Sequence, residues 1–307
     1  MKTNKSFCPV PFQDAHVIPG GNVYLCCPGF LKQAAGNIYK TPLVEIFNSP
    51  AAQTIRKSIL NGEFTFCNKD ACPGYMLAAK ESVVPLPAAT IPDGPKRLFP
   101  YMDDSCNLSC PSCRQKTRFD QRFFDPAYRQ FIADQLLHPN LDELFLTAGE
   151  PLFSVFYRKL MTDLLNRPEL HHVSLRMTTN GLLWKNDSPA ARRMMESLRP
   201  EEQIPDYLDS LLSQSRIREV TVSIDAASRD TYRKIRQGGN WDTLMESLAQ
   251  IAEDKQRYGF HLMLNFVVQK DNYREMQGFV ELAKHFQADE VNFQQVRFRP
   301  EMQTYMT

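Results

Sequence analysis

Three cysteines fall within eight residues, Cys106, Cys110 and Cys113, in the order C-x3-C-x2-C. Three thiolates that close together can hold three irons of a cubane 4Fe-4S cluster and leave the fourth iron without a protein ligand. That open position is the chemical point, because a small molecule can bind the metal there. The alternatives are part of a zinc site, which usually wants four nitrogen or sulfur ligands in C-x2-C pairs, or buried structural thiols. Cys8, Cys26, Cys27, Cys67 and Cys72 precede the triplet by a long interval and imply a second site.

The elements that must position these residues follow from periodicity. The N-terminal segment reads as a loop from Cys8, a turn at Gly20-Gly21 and a short strand ending in Cys26-Cys27, that is, a hairpin carrying ligands. Two helical pieces follow, the second with Ser49 as N-cap and Pro50 at its first position. Residues 75–95, with Pro85, Pro87, Pro92 and Pro95 and no sustained period, read as a semi-extended linker. Strand patterns then recur at 97–102, 142–146, 173–178, 219–224, 261–268 and 290–296. Helical patterns separate them at 126–137, 153–165, 207–214, 230–235, 241–257 and 273–286, with an insertion from Trp184 to about Pro205. Such alternation specifies α/β architecture, a parallel sheet with right-handed crossovers, and six strands predict a partial (β/α)6 TIM-type barrel. The expected domains are 1–76, a linker at 77–95, and the barrel at 96–307.

Reactive groups of parallel α/β folds gather at the carboxyl ends of the strands, and the distinctive residues of this chain fall there. The cysteine triplet follows the first barrel strand and Thr147-Ala148-Gly149-Glu150-Pro151 the second. Thr178-Thr179-Asn180-Gly181 ends the third, and Ser223-Ile224-Asp225 the fourth. Arg236 stands before Gly238-Gly239, and a guanidinium fork suits a carboxylate. The bland readings are ordinary turns at Gly149 and Asn180, a helix N-cap at Asp225 and a surface arginine at 236.

Taken together, these motifs resemble the radical S-adenosylmethionine (radical SAM) family. The resemblance implies that Cys106, Cys110 and Cys113 hold a 4Fe-4S cluster. Gly149, Glu150 and Pro151 then correspond to a motif that binds the SAM amino group, Ser223 and Asp225 to the ribose position, and Arg236 to the carboxylate; Asn180 is a further cofactor-binding candidate. Ser112 stands where the family often has an aromatic or large apolar residue, and Ala148 replaces a glycine. The N-terminal layout resembles the SPASM or Twitch auxiliary domain, in which Cys8, Cys26, Cys67 and Cys72 close a second 4Fe-4S cluster. Cys27 competes with Cys26 for one position, the spacing from Gly21 favouring Cys26. A four-cysteine zinc knot is the rival reading of that site. In relatives this element follows the barrel, whereas here it precedes it.

The implied reaction is reductive cleavage of SAM to a 5′-deoxyadenosyl radical that abstracts hydrogen from a substrate, with flavodoxin or ferredoxin as electron donor. A peptide or protein is the expected substrate, oxidised or cross-linked; a sugar or aminocyclitol, dehydrogenated or rearranged, is the runner-up. A nonenzymatic iron-sulfur or zinc protein is the alternative outside enzymes. No general base can be named, and the histidines form no ligand pattern. The bulk composition limits partners: 36 basic residues balance 35 acidic ones, so nothing points to nucleic acid or an anionic membrane surface. No apolar run nears the ~20 residues of a membrane span, and the N-terminus lacks a signal segment. A cytoplasmic location is expected, where reduced thiols favour metal ligation over disulfides.

Overall fold

The computed structural model describes residues 7–78, 88–113, 119–184 and 207–296. Residues 79–87 of the expected linker, and the expected insertion beyond Trp184 to about Pro205, lie outside the described residues. The chain divides into two compact units, Met1–Met102 with Gln130–Phe145, and Asp103–Arg129 with Leu146–Thr307.

In the first unit, strands β1 (Asp14–Val17), β2 (Asn22–Tyr24) and β3 (Gly36–Asn37) form an antiparallel meander. Gly20 and Gly21 both have positive φ, which only glycine adopts without strain, and a Cβ on Gly21 would lie 2.5 Å from the Tyr39 ring. Strand β1 corrects the expected loop before that turn. It runs parallel to β4 (Arg97–Pro100), with His16 opposite Phe99, and β4 pairs in parallel with β5 (Glu143–Leu146). Such pairing across some 80 residues leaves no local signature in a four-residue strand. Strand β2 stops at Tyr24, so Cys26 and Cys27 lie in the bend beyond it rather than at the end of a strand.

Helices α1 (Leu43–Phe47) and α2 (Pro50–Leu60) are the two expected pieces, and Ser49 caps α2 by accepting from the Ala52 amide. Helix α3 (Pro73–Ala78) takes the first residues of the predicted linker, because Pro73 is preset for a first helical turn. Helix α4 (Pro126–Leu136) follows β4 in the chain.

The second unit contains α5 (Val155–Asn166), β6 (Ser174–Thr179), α6 (Tyr207–Ser213) and β7 (Ile217–Ser223). It continues with α7 (Arg229–Ile235), α8 (Trp241–Tyr258), β8 (His261–Val268), α9 (Met276–His285) and β9 (Glu290–Gln295). Strands β6 to β9 pair in parallel in chain order. Their alternate residues Leu175, Met177, Val220, Val222, Leu262 and Leu264 are buried under the helices. The fold is thus a mixed α/β sheet of mostly parallel strands, the partial barrel, with a small N-terminal cysteine-rich domain. Trp184 belongs to the core rather than to an insertion, its indole N–H donating to Asp254 at 2.8 Å. Among the described residues no helix is long and apolar enough to cross a membrane.

Candidate functional site

The cysteine loop is clamped at its start by a buried carboxylate. Asp103 Oδ1 accepts from the Ser105 amide at 2.8 Å, and Oδ2 accepts from the Ser154 hydroxyl. Ser154 in turn caps α5 by accepting from the Tyr157 amide at 3.0 Å, so one side chain ties the loop to a helix start. Burial pushes the Asp103 pKa up, against the hydrogen bonds from both serines. Cys106 and Cys110 are buried and Cys113 is exposed, at the end of a turn closed by its amide on the Cys110 carbonyl.

The segment after β5 closes on the same loop. Gly149 has φ +60, and a Cβ there would collide with the Ser105 carbonyl, which itself accepts from the Glu150 amide at 2.8 Å. Glu150 is fully buried. Its Oε1 accepts from the Thr179 hydroxyl at 2.7 Å and the Leu152 amide at 3.2 Å, and Oε2 accepts from the Asn180 amide at 2.6 Å. With two acceptor sites on each oxygen, Oε2 has one left over among the described residues. Burial raises the Glu150 pKa, opposed by these donors. Pro151 is buried beside it. Asn180 donates from its side chain to Asn107 Oδ1 at 2.8 Å and accepts from the Leu182 amide, joining the end of β6 to the cysteine loop.

At the end of β7, Ser223 is half-buried and in register with Asn265. Asp225 is buried in the left-handed region at φ +62, a strained backbone for a non-glycine residue. Its Oδ1 accepts from the Val267 amide at 2.7 Å and its Oδ2 pairs with Arg236 Nη2 at 2.7 Å. Burial lifts the Asp225 pKa, while Arg236 works to lower it. Arg236 Nη1 lies 3.9 Å from Cys110 Sγ. Burial disfavours the guanidinium charge, but Asp225 and Cys110 outweigh it and hold the pKa above its ordinary value. Sequence reasoning named Asp225 and Arg236 separately and missed that they form one buried ion pair.

The triplet therefore meets Glu150, Asn180, Asp225 and Arg236 through a continuous hydrogen-bonded frame. Asp103 and Asn107 belong to this frame and were given no role from sequence, and Tyr232 stands beside it. Their roles depend on partners distant in the chain. The donor set suits a 4Fe-4S cluster: two buried thiols and one exposed, a cation against one sulfur, and a glycine-lined approach where a Cβ on Gly238 would sit 3.5 Å from the Asn107 carbonyl.

In the first unit a second thiol group assembles. Cys26 is within electrostatic reach of Cys8, Cys72 and Cys27, and Cys67 of Cys8 and Cys72. Burial and these neighbours push Cys26 up to about 12 and Cys67 to about 11. Cys8 and Cys67 pack against the small core of Phe12, Ile59 and Phe64. Among the described residues no three His, Cys, Asp or Glu side chains group as a single metal ion would require.

The profile of the radical SAM superfamily matches residues 103–283, and that of the SPASM iron-sulfur cluster-binding domain matches residues 8–73. The GTP 3′,8-cyclase of Petrotoga mobilis is 26% identical over 186 residues, 59% of this chain and 49% of the relative. A probable GTP 3′,8-cyclase of Saccharolobus islandicus is 24% identical over 189 residues, 61% of this chain and 52% of the relative. The chain spans about half the length of these curated relatives. Among solved structures, Streptococcus suis SuiB bound to the precursor peptide SuiA aligns with a TM-score of 0.42 and 14% identity, over 80% of this chain and 53% of that one. Native anSMEcpe with bound AdoMet and Kp18Cys peptide aligns with a TM-score of 0.38 and 17% identity, over 63% and 49%.

Proposed function

Because the chain belongs to the radical SAM superfamily and carries an N-terminal SPASM iron-sulfur domain, we propose that it oxidises or cross-links a peptide or protein side chain by radical chemistry. When bound, the first cluster and SAM supply a 5′-deoxyadenosyl radical that abstracts hydrogen from the substrate. Cys106, Cys110 and Cys113 hold that cluster. The free acceptor site on Glu150 Oε2 takes the SAM ammonium, with Gly149 and Pro151 shaping the backbone around it. Arg236 would hold the SAM carboxylate, and Ser223 and Asp225 the ribose hydroxyls. Asn180 keeps the end of β6 on the cysteine loop and so fixes the wall of the site. Residues 1–76 would form the auxiliary domain and 96–307 the catalytic one, with a small electron carrier such as flavodoxin or ferredoxin as the electron donor.

The observation that carries the reading is the second thiol group. Cys8 and Cys72 lie within electrostatic reach of both Cys26 and Cys67, and the spacing from Gly21 favours Cys26 over Cys27, so we assign Cys26 as the ligand. Four thiolates leave no iron open to substrate. A cluster so closed would supply an acceptor for the electron that remains after hydrogen abstraction, which would make the net change an oxidation. A second reading, radical rearrangement of a small molecule such as a nucleotide, is favoured by the curated relatives named GTP 3′,8-cyclases.

Anaerobic reconstitution with iron and zinc counting, followed by a 5′-deoxyadenosine assay on wild type and Cys110→Ala, tests the enzyme. Two clusters' worth of iron and nucleoside from wild type alone is the expected result. Zinc at both sites, or full iron loading without cleavage under a competent reductant, would defeat it. Wild type that consumes GTP, and leaves peptide unchanged, would shift the choice to the second reading.

A further inference from the structure

Tyr232 is 1% exposed on α7, and among the described residues its hydroxyl has no hydrogen-bond partner. A buried hydroxyl left unpaired is destabilising, so its persistence points to a partner supplied from outside the chain. Its setting is specific. Arg236 lies four residues on, one helical turn away, with Nη2 on Asp225, Nη1 at 3.9 Å from Cys110 Sγ, and Nε also without a partner. The electrostatic neighbours of the phenol are Arg236, Cys110, Asp225 and Glu150, the residues of the site itself. The ring is fixed edge-on against Trp241 at 5.5 Å, and the backbone approaches so closely that a Cβ on Gly239 would lie 2.7 Å from the hydroxyl. Burial pushes the phenol pKa well above its ordinary range, so the group is held as a donor.

We propose that the Tyr232 hydroxyl is a second hydrogen-bond donor to the anionic contents of this site, beside Arg236. The acceptor is a sulfur of the cluster or the carboxylate of SAM, which share the same chemistry. The inference rests on the assignment of Cys110 as a cluster ligand. Hydrogen bonds to cluster sulfurs raise the reduction potential, whereas a bond to a ligand carboxylate acts on affinity.

The test uses the reconstituted holoenzyme and Tyr232→Phe, which keeps the ring and removes only the hydroxyl. Two readouts are taken: the midpoint potential of the cluster whose EPR signal SAM perturbs, and the dissociation constant of SAM. A sulfur acceptor predicts a more negative potential with unchanged SAM affinity. A carboxylate acceptor predicts SAM binding weakened roughly tenfold with unchanged potential. Both readouts unchanged at wild-type iron content would overturn the proposal while leaving the enzyme assignment standing. Urea unfolding of the apo chain adds an independent arm. Apo Tyr232→Phe is expected to be as stable as wild type or more so, since an unmet hydroxyl is gone; a loss of apo stability would show that the hydroxyl serves the fold, and would also overturn it.

Discussion

At the scale of single residues, the site depends on side chains that do two things at once. Gly149 gives the backbone a left-handed turn and leaves room for the Ser105 carbonyl, so Gly149→Ala combines strain with a backbone clash. We expect that variant to lose SAM binding by at least tenfold, read by equilibrium binding, with the secondary structure retained in circular dichroism. Arg236 and Asp225 share a buried ion pair, and removing one partner leaves an unpaired charge in the interior. Arg236→Met should therefore destabilise the chain by about 3 kcal/mol in denaturant unfolding. Replacing both, as Asp225→Asn with Arg236→Met, should recover part of that loss; a double variant no better than the single one would show that the pair does not act as a pair. The role of Arg236 as a cation near Cys110 was open to sequence reasoning only as a residue type. Its partner was not, because Asp225 and Arg236 face each other through the fold and not through any spacing.

At the scale of elements, the loops at the strand ends are held by carboxylates used as clips. Glu275, just before α9, accepts from the Ala227 amide at 2.6 Å, the Ser228 amide at 3.2 Å, the Ser228 hydroxyl at 2.6 Å and the Thr231 hydroxyl. It thereby ties the connection after β8 to the start of α7, the helix that carries Tyr232. Burial works to raise its pKa, but the bonds from Ser228, Thr231 and the backbone win and hold it below the ordinary carboxylate value. A carboxylate depressed in the folded state contributes stability that is present above the unfolded pKa and is lost as pH falls through the folded one. Glu275→Ala should cost about 1–2 kcal/mol at pH 7 and progressively less below pH 4.5, measured by urea unfolding across pH. A cost independent of pH would mean that the clip acts by packing and not by charge.

At the scale of the molecule, acid stability is set in part by histidines kept neutral by burial. His16 stacks on Phe99 with ring centroids 4.2 Å apart and is lowered by burial, Asp14 opposing. His138 is lowered to about 4, by burial first and then by Lys96. In both, the unfolded chain takes up the proton first, so their contribution falls as pH drops below about 6.5, for His138 as far as about pH 4. The buried carboxyls of Asp103, Glu150 and Asp225, raised in the fold, act in the opposite sense at lower pH. His138→Gln should thus lose less stability than wild type between pH 7 and pH 5, by roughly 1–2 kcal/mol. Parallel losses in the two proteins would count against it.

What the sequence determined by itself was the chemistry and the order of elements. Cysteine spacing, strand and helix periods, and motifs placed just after strands are local properties, written within a few residues of each other. Cys106, Cys110, Cys113, Glu150 and Asp225 could be singled out as candidates for that reason, and β6 to β9 were legible to within a few residues. The tertiary structure alone decided how these residues are joined: β1 beside β4, Asp103 on Ser154, Asn180 on Asn107 and Asp225 on Arg236. Each is a contact between segments far apart in the chain. Burial and hydrogen-bond satisfaction select such contacts only once the whole core has closed.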